Sequence, residues 1–181
     1  MKIVAFTGAG ISKSAGIPTF EEVPGLKDKL SVEFKEAYPE EFEKAINTLK
    51  NNVLGKEPTK AHKILANMEI PIITMNVDCL HTKAGSKKVI EIHGNAEKNN
   101  IVLYGQNILG AEDCVKLLIE TAKAAKDNQE RLIFLVIGTS MQTAFANTLV
   151  DFAYKLGYEI KEFNKNADEE LSSFFMDLFG L

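Results

Sequence analysis

Short apolar segments alternate with amphipathic helical segments along most of this 181-residue chain, and this alternation constrains the fold more than any other feature. The predicted strands are residues 2–6, 71–74, 88–92, 101–104, 132–137 and 159–163, and the predicted helices are residues 39–51, 58–68, 111–127, 144–156 and 168–179. Strands rich in Val, Ile and Leu that are separated by helices pair in parallel and are buried on both faces. The sequence therefore predicts an α/β fold, in which helices cover both faces of a parallel sheet.

One segment does not follow this alternation. Residues 21–52 begin with Glu-Glu-Val-Pro-Gly and continue as a charged helical stretch without an intervening strand. We interpret this segment as an inserted flap or small helical module beside the first strand. The length of the chain suits one domain, so we predict a single domain over residues 1–181 that carries this insertion. Pro39 and Pro58 are predicted to lie in the first turns of two helices.

Composition and charge exclude several classes of partner. The formal net charge of -4 and the pI near 5.5 give no electrostatic signature of nucleic-acid or anionic-membrane binding. No segment has the pattern of a secretory signal or the length of a membrane span. Cys79 and Cys114 are the only cysteines, which excludes a disulfide framework and a cysteine-ligated zinc site within this chain. We therefore expect a cytoplasmic protein with no nucleic-acid or membrane partner, and the sequence does not indicate its oligomeric state.

A glycine-rich turn follows the first predicted strand. The segment Gly8-Ala9-Gly10-Ile11-Ser12 has glycines that let backbone N–H groups approach a phosphate, and the helix that follows adds a favourable dipole. Lys13 occupies the position of the third glycine in a complete G-x-G-x-x-G motif, and no acidic residue ends a second strand at the usual distance. The segment predicts a phosphate site, and a tight strand-to-helix turn without a ligand is the alternative.

Three further polar clusters follow predicted strands, at the edge where open α/β sheets bind ligands. They are Asn76-Val77-Asp78, His93-Gly94 and Gly138-Thr139-Ser140. An imidazole such as that of His93 takes a proton from a sugar hydroxyl near neutral pH, whereas its alternative role is structural. Asn76 and Asp78 suit a carboxamide ring and its ribose, and an Asx-type helix cap is the alternative. For His62 and His81 we favour a structural role.

Taken in order, these segments resemble the motif series of the sirtuins, and the resemblance spans nearly the whole chain. The matching segments are Gly8-Ala9-Gly10-Ile11-Ser12, Gly16-Ile17-Pro18 with Phe20, Asn76-Val77-Asp78, Leu80-His81, Ala84-Gly85-Ser86, His93-Gly94, Gly138-Thr139-Ser140 and Asn164.

The resemblance implies a Rossmann-like domain and an NAD-dependent protein-lysine deacylase, which releases nicotinamide and transfers the acyl group to ADP-ribose. It implies that His93 is the general base, that Asn76-Val77-Asp78 holds nicotinamide and its ribose, and that Phe20 shields the reactive carbon. The residues implied to bind the ADP part of NAD are Gly8, Ala9, Gly10, Ser12, Gly138, Thr139, Ser140 and Asn164. The implied partner is the acylated lysine of a protein or peptide, added as a strand between the stretch near Gly105 and the one after Ser140.

The sequence departs from the sirtuin pattern in ways that bear on function. Only residues 95–100 separate His93-Gly94 from the next predicted strand, so the zinc ribbon is missing and no zinc is expected. Thr19-Phe20-Glu21 replaces Asp-Phe-Arg, Met75 replaces a Gln, and Gln106 replaces a common acidic residue. We expect altered NAD affinity or a different acceptor. The alternatives are therefore an NAD glycohydrolase or ADP-ribosyltransferase, and a non-catalytic NAD or ADP-ribose sensor.

Overall fold

The computed structural model describes residues 1–19, 22–141 and 143–180, and its strands form one parallel sheet. The strands are β1 (Lys2–Thr7), β2 (Ile72–Thr74), β3 (Val89–Glu91), β4 (Leu132–Ile137) and β5 (Glu159–Phe163). Their order across the sheet is β3-β2-β1-β4-β5, and every neighbouring pair is parallel. The chain builds outward from β1 to β3 and then crosses to β4, which places the topological switch point between β1 and β4. Ligands bind at such points in open α/β sheets.

Helices connect the strands and cover both faces of the sheet, as the sequence predicts. They are a 3-10 helix (Ala9–Ala15), α1 (Leu26–Lys29), α2 (Val32–Ala37), α3 (Pro39–Val53), α4 (Lys60–Asn67), α5 (Leu80–Lys83), α6 (Ala111–Asp127), α7 (Ala144–Lys155) and α8 (Ala167–Phe179). Pro39 lies in the first turn of α3, as predicted. The prediction for Pro58 was wrong, because Thr59 caps α4 and Pro58 precedes that cap.

Two hydrophobic layers lie on opposite sides of the sheet because side chains alternate along each strand. One layer joins Phe6 and Phe134 to buried residues of α6 and α7, including Leu118 and Leu149. The other layer joins Ala5, Ile72, Ile133 and Leu135 to residues of α4 and α8, including Leu65 and Leu171. Strands β1 and β4 are therefore buried on both faces, which explains their near-continuous apolar sequences.

A third apolar cluster joins α1 and α3 to loops at the edge of the sheet. Leu26 and Leu30 of the α1 segment pack with Leu49 and Val53 of α3. The other buried residues of the cluster are Ile17, Ala45, Leu80 and Ala96. Among the described residues, no helix combines the length and the apolar character that spanning a bilayer requires.

The predicted strand at residues 101–104 was wrong. This segment forms no strand of the sheet, and its β-type pairing is a single parallel bridge between Ser31 and Tyr104. The Tyr104 N–H donates to Leu30 O, and the Val32 N–H donates to Tyr104 O. Residues 92–100 separate it from β3, and a parallel crossover needs a dozen or more residues. The segment therefore pairs with the α1–α2 connection instead of extending the sheet.

The ends of β1 and β4 are held together by backbone-to-backbone contact at three glycines. The Gly8 N–H donates to Ile137 O at 2.9 Å, and the Gly10 N–H donates to Gly138 O at 2.8 Å. A Cβ on Gly10 would lie 2.6 Å from the Gly138 Cα, and a Cβ on Gly138 would overlap the backbone nitrogen of Ile11. Gly138 also has a φ of 61°, in the left-handed region. Both chain segments therefore depend on glycine here.

Two imidazoles lie in the interior near this edge of the sheet. His62 and His81 are buried, and their ring centroids are 4.5 Å apart. His62 Nδ1 lies 2.7 Å from Thr59 Oγ1, and His81 Nε2 lies 2.9 Å from Thr7 Oγ1. Burial lowers the pKa of His62 to about 4 and holds the pKa of His81 well below its usual range, where the neighbouring His62 ring contributes. Both imidazoles are therefore neutral at pH 7.

Gly138→Ala is expected to destabilise the protein by roughly 1–3 kcal/mol more than Gly157→Ala. The reason is that a Cβ at position 138 would clash with backbone atoms of Gly10 and Ile11, whereas a Cβ at position 157 would meet no atom. Gly157 also has a positive φ of 91°, but nothing lies within 4 Å of the place its added methyl group would take, so it is the matched control for left-handed strain. Urea denaturation of both variants measures the difference. Equal destabilisation would show that the close approach of the strand ends contributes nothing.

The free energy of unfolding is expected to fall by roughly 2 kcal/mol through His62 as the pH decreases from 7 to 5. The unfolded imidazole takes up a proton near pH 6.5, whereas the folded one does so only near pH 4, so acid favours the unfolded chain. Denaturation at both pH values, for the wild type and His62→Gln, isolates this contribution. The same pH dependence in both proteins would contradict the assignment.

Candidate functional site

A cavity of about 240 Å³ opens at the carboxyl edge of the sheet, beside the switch point. Its polar wall includes Asn76 and Asp78, which follow β2, and His93, which follows β3. Ala9, after β1, and Thr143, at the cap of α7, also line it. Loops after four separate strands therefore meet at one cavity.

Asn76 connects the loop after β2 to the glycine turn after β1. Its backbone N–H donates to Thr74 Oγ1 at 3.0 Å, which fixes the start of the loop. Its side-chain Nδ2 donates to Gly8 O at 3.1 Å and to Ser12 Oγ at 3.2 Å. The amide is thus held at the base of the cavity by two segments that are distant from it in sequence.

A hydrogen bond between Ser12 and Asp78 is a second connection between the turn after β1 and the loop after β2. Ser12 Oγ donates to Asp78 Oδ2 at 2.6 Å, and the Leu80 N–H donates to Asp78 Oδ1 at 3.0 Å. The second bond forms an Asx-type turn. The helix cap that was the alternative role for Asp78 was wrong, because Cys79 is the N-cap residue of α5. Burial raises the pKa of Asp78 above its ordinary value, and the hydrogen bonds from Ser12 and Leu80 only partly oppose this shift. The carboxyl group therefore fixes the loop after β2 and also lines the cavity.

His93 is the ionisable group at the cavity that is best suited to accept a proton. The side chain is half-buried, and burial lowers its pKa, so the imidazole is neutral at pH 7. Gly94 follows with a φ of 80°, and a Cβ at this position would overlap the carbonyl of Asn100. Because only glycine makes this turn without a clash, the chain leaves the sheet directly after His93 while the imidazole faces the cavity.

The segment after β4 and the segment after β5 form the other half of the predicted site. The Gly138 N–H donates to Phe163 O at 2.9 Å, and the Thr139 N–H donates to Asn164 Oδ1 at 3.0 Å. Thr139 is buried, whereas Ser140 is exposed. The structure thus brings Asn164 against the Gly138-Thr139-Ser140 segment, which in turn contacts Gly8 and Gly10.

The glycine turn differs from a loop that presents all its N–H groups to a phosphate. The N–H groups of Gly8 and Gly10 are already bonded to carbonyls at the end of β4. The Ala9 N–H, at the first position of the 3-10 helix, has no acceptor within that helix. Gly8 and Gly10 therefore let the turn after β1 pack closely against the end of β4. Ala9 is the residue of this turn that lines the cavity.

Some sequence predictions fall on residues that the structure does not describe, and other wall residues were not predicted. Phe20 and Glu21 lie outside the described residues. Met75 lines the cavity, where its sulfur lies 3.8 Å from Thr143 Oγ1. The apolar wall of the cavity, formed by Leu26, Leu30, Leu49 and Val53, was not predicted. Their helical spacing is also that of ordinary core residues, so the sequence held no separate signal.

A charged pair that was not predicted lies next to residue 19. The Thr19 N–H and hydroxyl both donate to Glu22 Oε2, and Lys13 Nζ lies 3.0 Å from Glu22 Oε1. These contacts lower the pKa of Glu22 to about 2. In the part of the chain that the structure describes, no three or more His, Cys, Asp or Glu side chains form a group that could hold a metal ion.

Known proteins share both the sequence and the fold. Residues 8–108 match the model of the Sir2 family. The NAD-dependent protein deacetylase of Sulfolobus acidocaldarius is 38% identical over 130 residues, which are 66% of this chain and 50% of the relative. The NAD-dependent protein deacylase of Aquifex aeolicus is 44% identical over 58% of this chain and 48% of the relative. The chain therefore spans about half the length of these curated relatives.

A relative that matches a larger share of the chain, and two solved structures, are also Sir2-type proteins. The NAD-dependent protein deacetylase of Thermodesulfovibrio yellowstonii is 30% identical and covers 90% of this chain and 78% of the relative. The structure of a Sir2 protein with a p53 peptide and NAD+ superimposes with a TM-score of 0.80 at 25% identity, covering 99% of this chain and 93% of that one. A Sir2 homologue in complex with NAD superimposes with a TM-score of 0.81 at 21% identity, over 99% of this chain and 90% of that one. The chain belongs to the Sir2 family, the sirtuins, and has their Rossmann-like fold.

Proposed function

We propose that this protein is an NAD-dependent protein-lysine deacylase that transfers the acyl group of a modified lysine to ADP-ribose and releases nicotinamide. The observation that supports the proposal is a network of hydrogen bonds and close backbone contacts at one edge of the sheet, next to the cavity that His93 lines. The residues of this network are Asn164, Thr139, Gly138, Gly8, Asn76, Ser12 and Asp78. The named activities of the relatives in the family support the same reaction.

The residues fit an NAD molecule by the chemistry of their donors. The ends of β4 and β5, with Ser140 and Asn164, offer hydroxyl and amide groups for the adenosine ribose and the phosphates. Gly8, Gly10 and Gly138 have no side chains to block an approach to the turn, and Ala9 and Ser12 follow in the 3-10 helix. Asn76, Val77 and Asp78 line the cavity that would take nicotinamide and its ribose. Phe20 is proposed to shield the reactive carbon.

When bound, NAD supplies the ribose carbon that an acyl-lysine oxygen attacks as nicotinamide leaves. His93 then takes the proton of a ribose hydroxyl, which its lowered pKa permits at pH 7. Asn76 and Asp78 orient the ring and the sugar, because bonds to Gly8, Ser12 and Leu80 already hold them in place. The acyl-peptide is proposed to add as a strand beside Gly105 and the residues after Ser140.

The zinc-free state and the compartment are further parts of the proposal. The two cysteines are buried and unpaired, and Cys79 Sγ donates to Asn95 Oδ1. Free thiols favour a reducing compartment, so we assign the protein to the cytoplasm.

A sensor that binds NAD or ADP-ribose without turnover is the second candidate function. The observation that favours it is Met75, which lines the cavity where the sirtuin pattern has a hydrogen-bonding amide.

Nicotinamide is expected to be released from NAD only when an acetyl-lysine peptide is present, because the acyl oxygen displaces it. Liquid chromatography of mixtures with and without the peptide measures this. Release without peptide would assign the protein as a glycohydrolase or a self-modifying transferase. Binding of NAD without any release would assign it as the sensor.

His93→Ala is expected to lower the rate of peptide deacylation at least about 100-fold, since a general base contributes roughly that much or more. NAD affinity, measured by calorimetry, is expected to stay near that of the wild type, because nicotinamide and the ADP part contact other residues. Deacylation by the variant at the wild-type rate would remove His93 from the mechanism.

A further inference from the structure

One buried amide organises the loop that follows β3, which has no helix or strand of its own between residues 92 and 100. This amide belongs to Asn95, which is 3% exposed and follows His93 by two residues. A buried amide destabilises the protein unless both its donor and its acceptor have partners. The partners of Asn95 therefore identify the parts of the structure that it holds together.

The oxygen of the Asn95 amide fixes the shape of the loop itself. It accepts from the backbone N–H of Glu97 at 2.9 Å and from that of Lys98 at 3.2 Å. The Asn95 N–H donates to Asn100 Oδ1 at 2.8 Å, which joins the two ends of the turn. Residues 95–100 are therefore a closed turn built around one side chain.

The nitrogen of the same amide connects the loop to the sheet. Asn95 Nδ2 donates to Glu91 Oε1 at 2.6 Å, and Lys98 Nζ lies 2.9 Å from Glu91 Oε2. A hydrogen bond to a carboxylate is stronger than one between neutral groups. Glu91 is the last residue of β3 and precedes His93 by two residues. The bond therefore closes the segment from Glu91 to Asn95 into a ring, with His93 in the middle of the segment.

Asn95 and its neighbour also join this segment to the loop after β2. Cys79 Sγ donates to Asn95 Oδ1 at 2.9 Å, and the Ala96 N–H donates to Val77 O at 2.9 Å. Val77 is the middle residue of the segment proposed to hold nicotinamide and its ribose. The placement of His93 relative to that segment therefore depends on contacts made by residues 95 and 96.

We propose that Asn95 is a positioning residue, which fixes the imidazole of His93 relative to the nicotinamide ribose through its bonds to Glu91 and Cys79. Asn95 acts through His93, since it is not among the described residues that line the cavity. The inference rests on the proposed deacylase function. A misplacement of about 1 Å is enough to cost a catalytic group roughly 100-fold in rate.

An exchange of the two partners tests the bond between Asn95 and Glu91. Asn95→Asp keeps the shape of the side chain and an oxygen toward the backbone N–H groups of the turn, but it places a second oxygen opposite the Glu91 carboxylate. Two carboxylates at this distance repel each other. Adding Glu91→Gln lets the amide at position 91 donate to the carboxylate at position 95. The double variant therefore restores the hydrogen bond in the reverse direction and has the net charge of the wild type.

Steady-state kinetics with an acetyl-lysine peptide and NAD measure the effect on turnover. Asn95→Asp is expected to lower kcat roughly 10-fold to 100-fold and to leave the KM for NAD unchanged, because it displaces the general base and not the adenosine contacts. The double variant is expected to recover kcat to within about threefold of the wild type. Lys98→Ala is the matched control, because it removes the exposed partner of Glu91 but keeps the backbone N–H that bonds to Asn95, and it is expected to match the wild type.

The ring resonances of His93 report its placement without any turnover. In protein labelled with 13C-histidine, the His93 signals are expected to move in Asn95→Asp and to return in the double variant. The His62 signals serve as an internal reference, because that ring lies beside Thr59 at the start of α4. If the wild type releases no nicotinamide but the His93 signals follow this order, the deacylase reaction is wrong and the positioning role stands.

A merely structural role gives a different result. Asn95→Asp would then lower the thermal stability but leave kcat and the His93 signals unchanged, and the inference would be overturned. It would also be overturned if Glu91→Gln failed to restore kcat and the signals in the double variant. If Asn95→Asp does not fold, the double variant decides by the same two measurements.

Discussion

Close backbone contact between the ends of β1 and β4 holds the two halves of this site together. Gly10 donates to the carbonyl of Gly138, and neither residue has space for a methyl group. The turn after β1 carries Ser12 and accepts the Asn76 amide at Gly8, whereas the turn after β4 holds Thr139 against Asn164. A shift of either strand end would therefore separate the residues proposed to bind nicotinamide from those proposed to bind adenosine.

Hydrogen bonds connect the glycine turn after β1 to Asn76 and Asp78 and hold these two side chains in place. Asn76 and Asp78 are each bonded to Ser12, so the loop after β2 has little freedom relative to the turn after β1. A site held in this way loses little entropy when a ligand binds, which favours catalysis by positioning. His93 is held differently. The sharp turn at Gly94 sets the direction of the chain after it, and burial keeps the imidazole neutral.

The sequence predicted the sheet and most helices because their apolar patterns are long and regular. Strand β4 reads Leu-Ile-Phe-Leu-Val-Ile, and α6 was predicted with its observed bounds. Residues 101–104 have a similar apolar pattern but form no strand of the sheet, because pairing depends on the length of the preceding connection. Local sequence does not encode that geometric limit.

The candidate site was predictable where residues follow strands, because parallel strands bring their carboxyl ends to one edge. Asn76, Asp78 and His93 were predicted in this way, and Asn164 was predicted from the sirtuin resemblance. The use of the Gly8 and Gly10 N–H groups by β4 was not predictable, since it depends on the neighbouring strand. The apolar wall was not predictable either, because Leu49 in a cavity and Leu49 in a core have the same helical spacing.

The most direct test is a crystal structure of this protein with NAD bound. We expect the nicotinamide ribose next to His93, with a ring nitrogen within about 2.6–3.2 Å of a ribose hydroxyl and the adenosine beside Thr139 and Asn164. A dinucleotide bound elsewhere, or an imidazole turned away from the sugar, would contradict the arrangement on which the proposed chemistry depends.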